Sequence, residues 1–147
     1  MPKTYAFAGI ESRWQKKWAD LDLFKAREDG DRYYCLMMYP YPSGKLHMGH
    51  LINYSIGDAI VRYHLMRGKN VLSPMGWDSF GLPAENHAIR TGTPPAESTK
   101  KSIEAMRQQM VRAGFGYDWS REIATSHPGY YRWTQWLFLQ FFKKGLA

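Results

Sequence analysis

Apolar residues change their spacing along this chain, and the changes divide it into elements. Ile10, Trp14, Trp18 and Leu21 recur at helical spacing with Lys16, Lys17 and Asp20 lying elsewhere, which predicts an amphipathic helix anchored by its aromatic rings. REDGDR (residues 27–32) is a polar turn. YYCLMMY (33–39) is a short strand, apolar on both faces as in a covered parallel sheet, that ends at Pro40. From about Met48 to Arg67 there is no proline, and Ile52, Ile56, Ile60, Tyr63 and Leu65 or Met66 fall near a 3.6-residue period. This predicts a helix that stops at Gly68. NVLS (70–73) reads as a second strand running into Pro74, so strand, helix and strand form a βαβ unit with a right-handed parallel crossover.

In PMGWDSFGLPAENHAI (74–89), Gly76 and Gly81 mark a loop at the carboxyl end of the second strand, and Pro83 opens a short helix. Another helix is predicted from Pro95 or Ala96 to about Ala113, ended by Gly114 and Gly116. In the last, PGYYRWTQWLFLQFFKKG, Tyr130, Trp133, Leu137 and Phe141 trace one buried face and Gly145 is the cap. No internal repeat, low-complexity tract or linker interrupts the series. The pattern is α/β: a parallel sheet with flanking helices, preceded by the amphipathic helix.

At 147 residues there is room for one domain with a substantial core, and 44% hydrophobic with 16% aromatic content excludes disorder. No apolar run approaches the ~20 residues of a membrane span, so a soluble chain with no membrane partner is expected. The 20 Lys+Arg against 13 Asp+Glu give +7, which favours polyanionic partners such as nucleic acid or nucleotide phosphates. The single cysteine, Cys35, allows no internal disulfide or cysteine metal cluster, and its apolar neighbours make it a buried thiol. MPKTYAFAGIESRWQKKW fits neither a secretory signal nor a transit peptide, so a cytoplasmic location is expected.

Candidate chemistry gathers where the first strand meets the long helix. Ligands of open parallel sheets bind outside the carboxyl ends of the strands, where residues 39–46 lie. A helix N-terminus there offers free amides and partial positive charge, and Lys45, His47 and His50 add side-chain donors. Gly49 has no side chain to hold a flat ligand off the backbone. The outline is a nucleotide polyphosphate site. His47 and His50 share one helical face, and each donor placed where charge builds on phosphoryl oxygens is worth ~3 kcal/mol. Two purely structural histidines are the alternative; zinc would need further ligands, for which only Asp78 or Glu85 is available. Asp78, the only acid in SPMGWDSFGLP, is either a solvated turn residue or a carboxylate that pairs with a substrate ammonium. Anion donors on one loop and a lone acid on the next would suit an amino acid that meets a nucleotide.

YPYPSGKLHMGH, PMGWDSFGLPAEN, GFGYDWSREIAT and YYRWTQWLFLQFFKKGLA together resemble the leucyl-tRNA synthetases of bacterial or organellar type, which are class I aminoacyl-tRNA synthetases. HMGH corresponds to the HIGH signature of that class, and the likeness runs from the first helix onward. It implies a Rossmann-like domain that activates leucine with ATP, with Mg2+, releases pyrophosphate, and transfers leucyl to the 3' terminal adenosine of tRNA(Leu). Pro40, Tyr41, Pro42, Ser43, Gly44, Lys45, Leu46, His47, Met48, Gly49 and His50 would form the ATP-binding HIGH region, with His47 and His50 catalytic and Gly49 near the adenine. Asp78 would bind the leucine ammonium, and Met38, Tyr39 and Tyr41 would shape the amino-acid pocket, Tyr39 partly through its backbone. No metal would be held by these residues.

Ser79 and His87 stand where an alanine or another small residue is common in that family, a departure expected to alter little. The K-M-S-K-S signature and the editing, zinc-bearing and anticodon-binding modules are not in this sequence, so residues 1–147 are expected to be the N-terminal part of the catalytic domain, with the remaining C-terminal part as partner. Trp133, Trp136, Phe138 and Phe142 would then belong to surfaces completed by other segments, leaving apolar patches on the isolated chain. Two other functions fit parts of the pattern. One is a non-catalytic nucleotide- or tRNA-binding fragment using Lys16, Lys17, Lys100, Lys101, Lys143 and Lys144, which otherwise read as solvated helix faces. The other is a small nucleotidylyltransferase bearing H-x-G-H, against which GWDSFGLPAE argues.

Overall fold

The computed structural model describes residues 5–147. The first helix, α1 (Phe7–Asp20), begins a turn earlier than its apolar stripe and buries no residue outright. Its aromatic anchoring works through a cation. The Arg62 guanidinium lies 4.5 Å from the Trp18 ring and 5.0 Å from Phe24. Arg62 is held in turn by Asp58 at 2.7 Å and donates to the Gly114 carbonyl at 2.6 Å.

The βαβ unit is present. Strand β1 (Arg32–Tyr34) pairs parallel with β2 (Asn70–Leu72), and α2 (Met48–Met66) connects them. The strand is shorter than the apolar run 33–39, although the Cys35 N–H extends the ladder to the Leu72 carbonyl at 2.9 Å. It is also covered on one face only: Cys35 is buried, while Tyr34, Leu36 and Met38 are exposed. Burial pushes the Cys35 thiol above its ordinary pKa.

Helix α2 has the expected bounds but turns the other way. Tyr54, Gly57 and Val61 are its buried residues, whereas Ile52, Ile56 and Tyr63 are more than half exposed. Both rows have helical spacing, and only the first fits beneath the chain that leaves β1, where Met37 occupies the space a Cβ on Gly57 would need.

Ser73 separates the first sheet from a second parallel pair, β3 (Pro74–Trp77) and β4 (Asp118–Ala124). This corrects the loop expected at 74–77, which is a wholly buried strand. Proline is tolerated as the first residue of a strand, and glycine serves here for close approach rather than for a turn. The register couples Pro74 to Asp118, Gly76 to Ile123 and Trp77 to Ala124, with an irregularity between Pro74 and Gly76.

The short helix expected to open at Pro83 is α3 (Leu82–Thr91), α4 (Pro95–Ala113) has the expected bounds, and Gly114 ends α4 in the left-handed conformation at φ +79°. The core is Tyr54, Met75, Trp77, Met106, Met110, Phe115 and Tyr117, between α2, α4 and the β3–β4 pair. The last helix, α5 (Pro128–Lys143), departs from expectation: it buries no residue, and Tyr130, Trp133, Leu137 and Phe141 are all exposed. Its apolar residues lie all round the helix, so no single face is favoured for burial.

Candidate active site

The α2 N-terminus is built by its own histidines. His47 is the N-cap, in extended conformation, and its Nδ1 accepts the Gly49 N–H at 3.1 Å. His50 Nδ1 accepts the His47 N–H at 3.3 Å. With both δ nitrogens used as acceptors, the proton of each neutral ring resides on Nε2. Neither Nε2 has a protein partner among the described residues. The structural and functional alternatives are therefore compatible, since the caps use one nitrogen of each ring and leave a donor on the other.

The rings stand 3.9 Å apart between centroids. His50 also stacks on Tyr54, whose hydroxyl donates to the Met38 carbonyl at 3.2 Å. A Cβ on Gly49 would lie 3.0 Å from His47 Cε1, so a side chain there would crowd the capping ring.

Burial, and then the neighbouring His47, hold His50 below the ordinary imidazole pKa. The folded state thus binds fewer protons than the unfolded chain. The stability this contributes is complete above about pH 6.5 and is lost as pH falls through the folded-state value. Protonation at Nδ1 would also remove the acceptor for the His47 N–H. The melting temperature should fall as the buffer is taken from about pH 7.5 to 5, and His50→Asn, which does not titrate, should lessen that fall.

The loop before α2 is anchored from behind. Pro40 and Pro42 are buried, Ser43 and Leu46 half-buried, and Tyr41, Gly44, Lys45 and Met48 exposed. The Leu46 N–H donates to Gln109 Oε1 on α4 at 3.0 Å. Nothing in the sequence pointed to Gln109, a polar residue on a helix that carries no motif. Met38 is exposed, while Tyr39 is half-buried with its hydroxyl pKa raised by burial and, less, by Tyr34 and Tyr130.

Asp78 meets this loop through main-chain atoms: its N–H donates to the Pro40 carbonyl at 3.1 Å. Its half-buried carboxylate has no hydrogen bond or ion pair among the described residues. The flanking residues are fixed to the end of β4. The Thr125 N–H reaches the Trp77 carbonyl at 3.0 Å, and the Ser79 N–H reaches Thr125 Oγ1 at 2.9 Å. Ser79 Oγ donates to Ser126 Oγ at 2.7 Å and accepts the Ser126 N–H at 3.0 Å. Ser79 is therefore a buried link between loops, with bonds that an alanine there would lack.

Glu85 is exposed in the first turn of α3. Among the described residues, no group of three or more His, Cys, Asp or Glu side chains is placed to hold a metal ion. Lys16 pairs with Asp20 at 2.9 Å along the exposed side of α1, as a solvated helix face does.

The two histidines at the start of α2 and the unpaired Asp78 carboxylate lie in one stretch of the chain that a known family also covers. The family of class I tRNA synthetases for isoleucine, leucine, methionine and valine matches residues 13–94, which contain the histidines and Asp78. The chain belongs to the class I tRNA synthetases.

This synthetase chain is 57% identical over 149 aligned residues to a leucine-tRNA ligase of Alkalilimnicola ehrlichii, covering 100% of the chain and 17% of that protein. It is equally similar to a leucine-tRNA ligase of Halorhodospira halophila, of which it covers 18%. It thus spans less than a fifth of the length of these relatives. Among solved structures, it is similar to Agrobacterium radiobacter LeuRS in a ternary complex with tRNA and LeuAMS. There the TM-score is 0.91 and the identity 46%, over 97% of this chain and 18% of that one. A methionyl-tRNA synthetase of Mycobacterium tuberculosis in complex with methionyl-adenylate matches 68% of the chain and 19% of its own, at TM-score 0.64 and 25% identity. The Rossmann-like class and the N-terminal helix agree with these neighbours. No helix among the described residues is long and apolar enough to cross a membrane.

Proposed function

We propose that this chain is the part of a leucine-tRNA ligase catalytic domain that supplies the HIGH half of the ATP site and part of the leucine pocket. The observation that carries this is the pairing of two Nε2–H donors at the α2 N-terminus with the unpartnered Asp78 carboxylate, tied together by the Asp78–Pro40 backbone bond. ATP phosphates would lie against the α2 amides and the two imidazoles, and the leucine ammonium against Asp78. A leucine carboxylate oxygen then bonds to the α-phosphorus as the bond to the bridging oxygen breaks. Pyrophosphate leaves with that electron pair. His47 and His50 donate to oxygens whose charge grows on the way, which lowers the barrier rather than merely tightening the ground state.

The aliphatic side chain of leucine would rest among Met38, Tyr39 and Tyr41. Mg2+ would arrive on the ATP phosphates, because the described residues offer no ligand cluster for it. Transfer to tRNA(Leu) belongs to the complete cytoplasmic protein. Its remaining part would cover the exposed apolar rows of α2 and α5.

The test is leucine-dependent exchange of pyrophosphate into ATP by the complete protein. Asp78→Ala should raise the KM for leucine by about 10- to 100-fold, as loss of a charge-assisted contact does, and leave the KM for ATP nearly unchanged. Unaltered leucine kinetics in that variant would show that Asp78 does not hold the ammonium.

A further inference from the structure

Gly76 has no part in the site as described, yet its surroundings connect it to the amino-acid side. It lies in β3, two residues before Asp78, and pairs with Ile123 of β4. A Cβ built on it would stand 2.6 Å from Tyr39 Cε2, 2.9 Å from Tyr39 Cδ2 and 2.8 Å from Ile123 Cγ1. Contacts that short do not persist, so the Tyr39 ring rests against the bare main chain of β3. The place is buried on the strand side, where Tyr39 packs on the cluster that holds Met75 and Trp77. The Tyr39 hydroxyl is sheltered, with the phenols of Tyr34 and Tyr130 near enough to raise its pKa further.

We propose that Gly76 is a positioning residue for the amino-acid pocket: by having no side chain it seats the Tyr39 ring against β3, and this sets the depth available to the substrate's aliphatic side chain. The inference rests on the leucine-activating function proposed above. A side chain at Gly76 would push the ring outward into the space the substrate needs, while leaving the histidines and the α2 amides where they are. The effect belongs to recognition of the amino acid, not to ATP.

The experiment compares wild type, Gly76→Ala, Tyr39→Ala and the double variant in the complete protein, by amino-acid-dependent pyrophosphate exchange with leucine, isoleucine and methionine. Gly76→Ala should raise the KM for leucine about tenfold or more, keep the KM for ATP within about twofold, and change the ratio of kcat/KM between leucine and its competitors. In the Tyr39→Ala background the added alanine should change the leucine KM by less than about twofold, since the ring it displaces is gone. An unchanged leucine KM, an equal rise in both KM values, or additive effects in the double variant would overturn the inference. If Gly76→Ala does not fold, Ile123→Ala is added to remove the other close contact at 2.8 Å: folding recovered only when Tyr39→Ala is present as well supports the seat, and recovery with Ile123→Ala alone, or misfolding in both, overturns it. Absence of leucine-dependent exchange in the wild type would instead defeat the proposed function, an outcome separate from an active wild type indifferent to Gly76→Ala.

Discussion

In the complete protein, His50→Asn should slow the proposed leucyl-adenylate formation by about 100- to 1,000-fold while leaving the melting temperature near that of the wild type. Asparagine places an oxygen where His50 carries Nδ1, so it can still accept the His47 N–H that caps α2. It offers nothing at the position of Nε2, the nitrogen without a hydrogen-bond partner among the described residues. Glutamine makes the opposite exchange, because its amide nitrogen reaches the Nε2 position and its side chain is too long for the cap. His50→Gln should therefore recover part of the rate and lose about 1 kcal/mol of stability. Single-turnover formation of the adenylate and thermal melting separate the two roles. A fully active asparagine variant would show that the Nε2 donor does no chemistry, and two variants equally slow and equally unstable would reduce His50 to a capping residue.

Trp77→Ala should destabilise the 147-residue chain by about 4 kcal/mol, the range for loss of a fully buried aromatic side chain. The indole is 1% exposed, packs within the main core, and donates from Nε1 to Glu122 Oε1 at 2.8 Å. Glu122 also faces Arg107 at 3.4 Å. Trp77→Phe, which keeps a benzene ring but removes the Nε1 donor together with the pyrrole part of the indole, should cost less, about 2–3 kcal/mol. Urea denaturation followed by circular dichroism measures both. Because Trp77 immediately precedes Asp78, the alanine variant should also weaken leucine binding. Similar stability losses in the two variants would mean that the pyrrole edge and its hydrogen bond to Glu122, not the benzene ring, carry the contribution.

The βαβ unit, the α2 and α4 bounds and the glycine stops were legible because period, proline and glycine signals agree there. The sequence misled where local chemistry and tertiary context diverge. Pro74 and Gly76 look like loop residues, but only a strand without side-chain bulk fits beneath Tyr39. The β4 strand escaped notice because Asp118, Ser120, Arg121 and Glu122 interrupt any apolar alternation, and Asp118 is buried for another reason: it accepts the Ala26 N–H at 3.0 Å and bonds from Ser120. On α2, two apolar rows compete, and periodicity cannot say which one faces inward. The α5 face failed for a related reason, since a helix apolar all round names no side. At the site, the paired histidines and the lone aspartate were readable as residue types in a setting. Their tautomers, the Gln109 anchor and the Ser79 link depend on contacts between distant segments, which no spacing reveals.

The bond from the Asp78 N–H to the Pro40 carbonyl spans the gap between two separate two-stranded sheets. It uses main-chain atoms only, so this link between Asp78, proposed to hold the amine, and the turn before α2, proposed to hold phosphates, does not depend on the identity of either residue's side chain. If the proposed site holds, Met38, Tyr39 or Tyr41 could be exchanged to admit a different amino acid while this main-chain link stays in place.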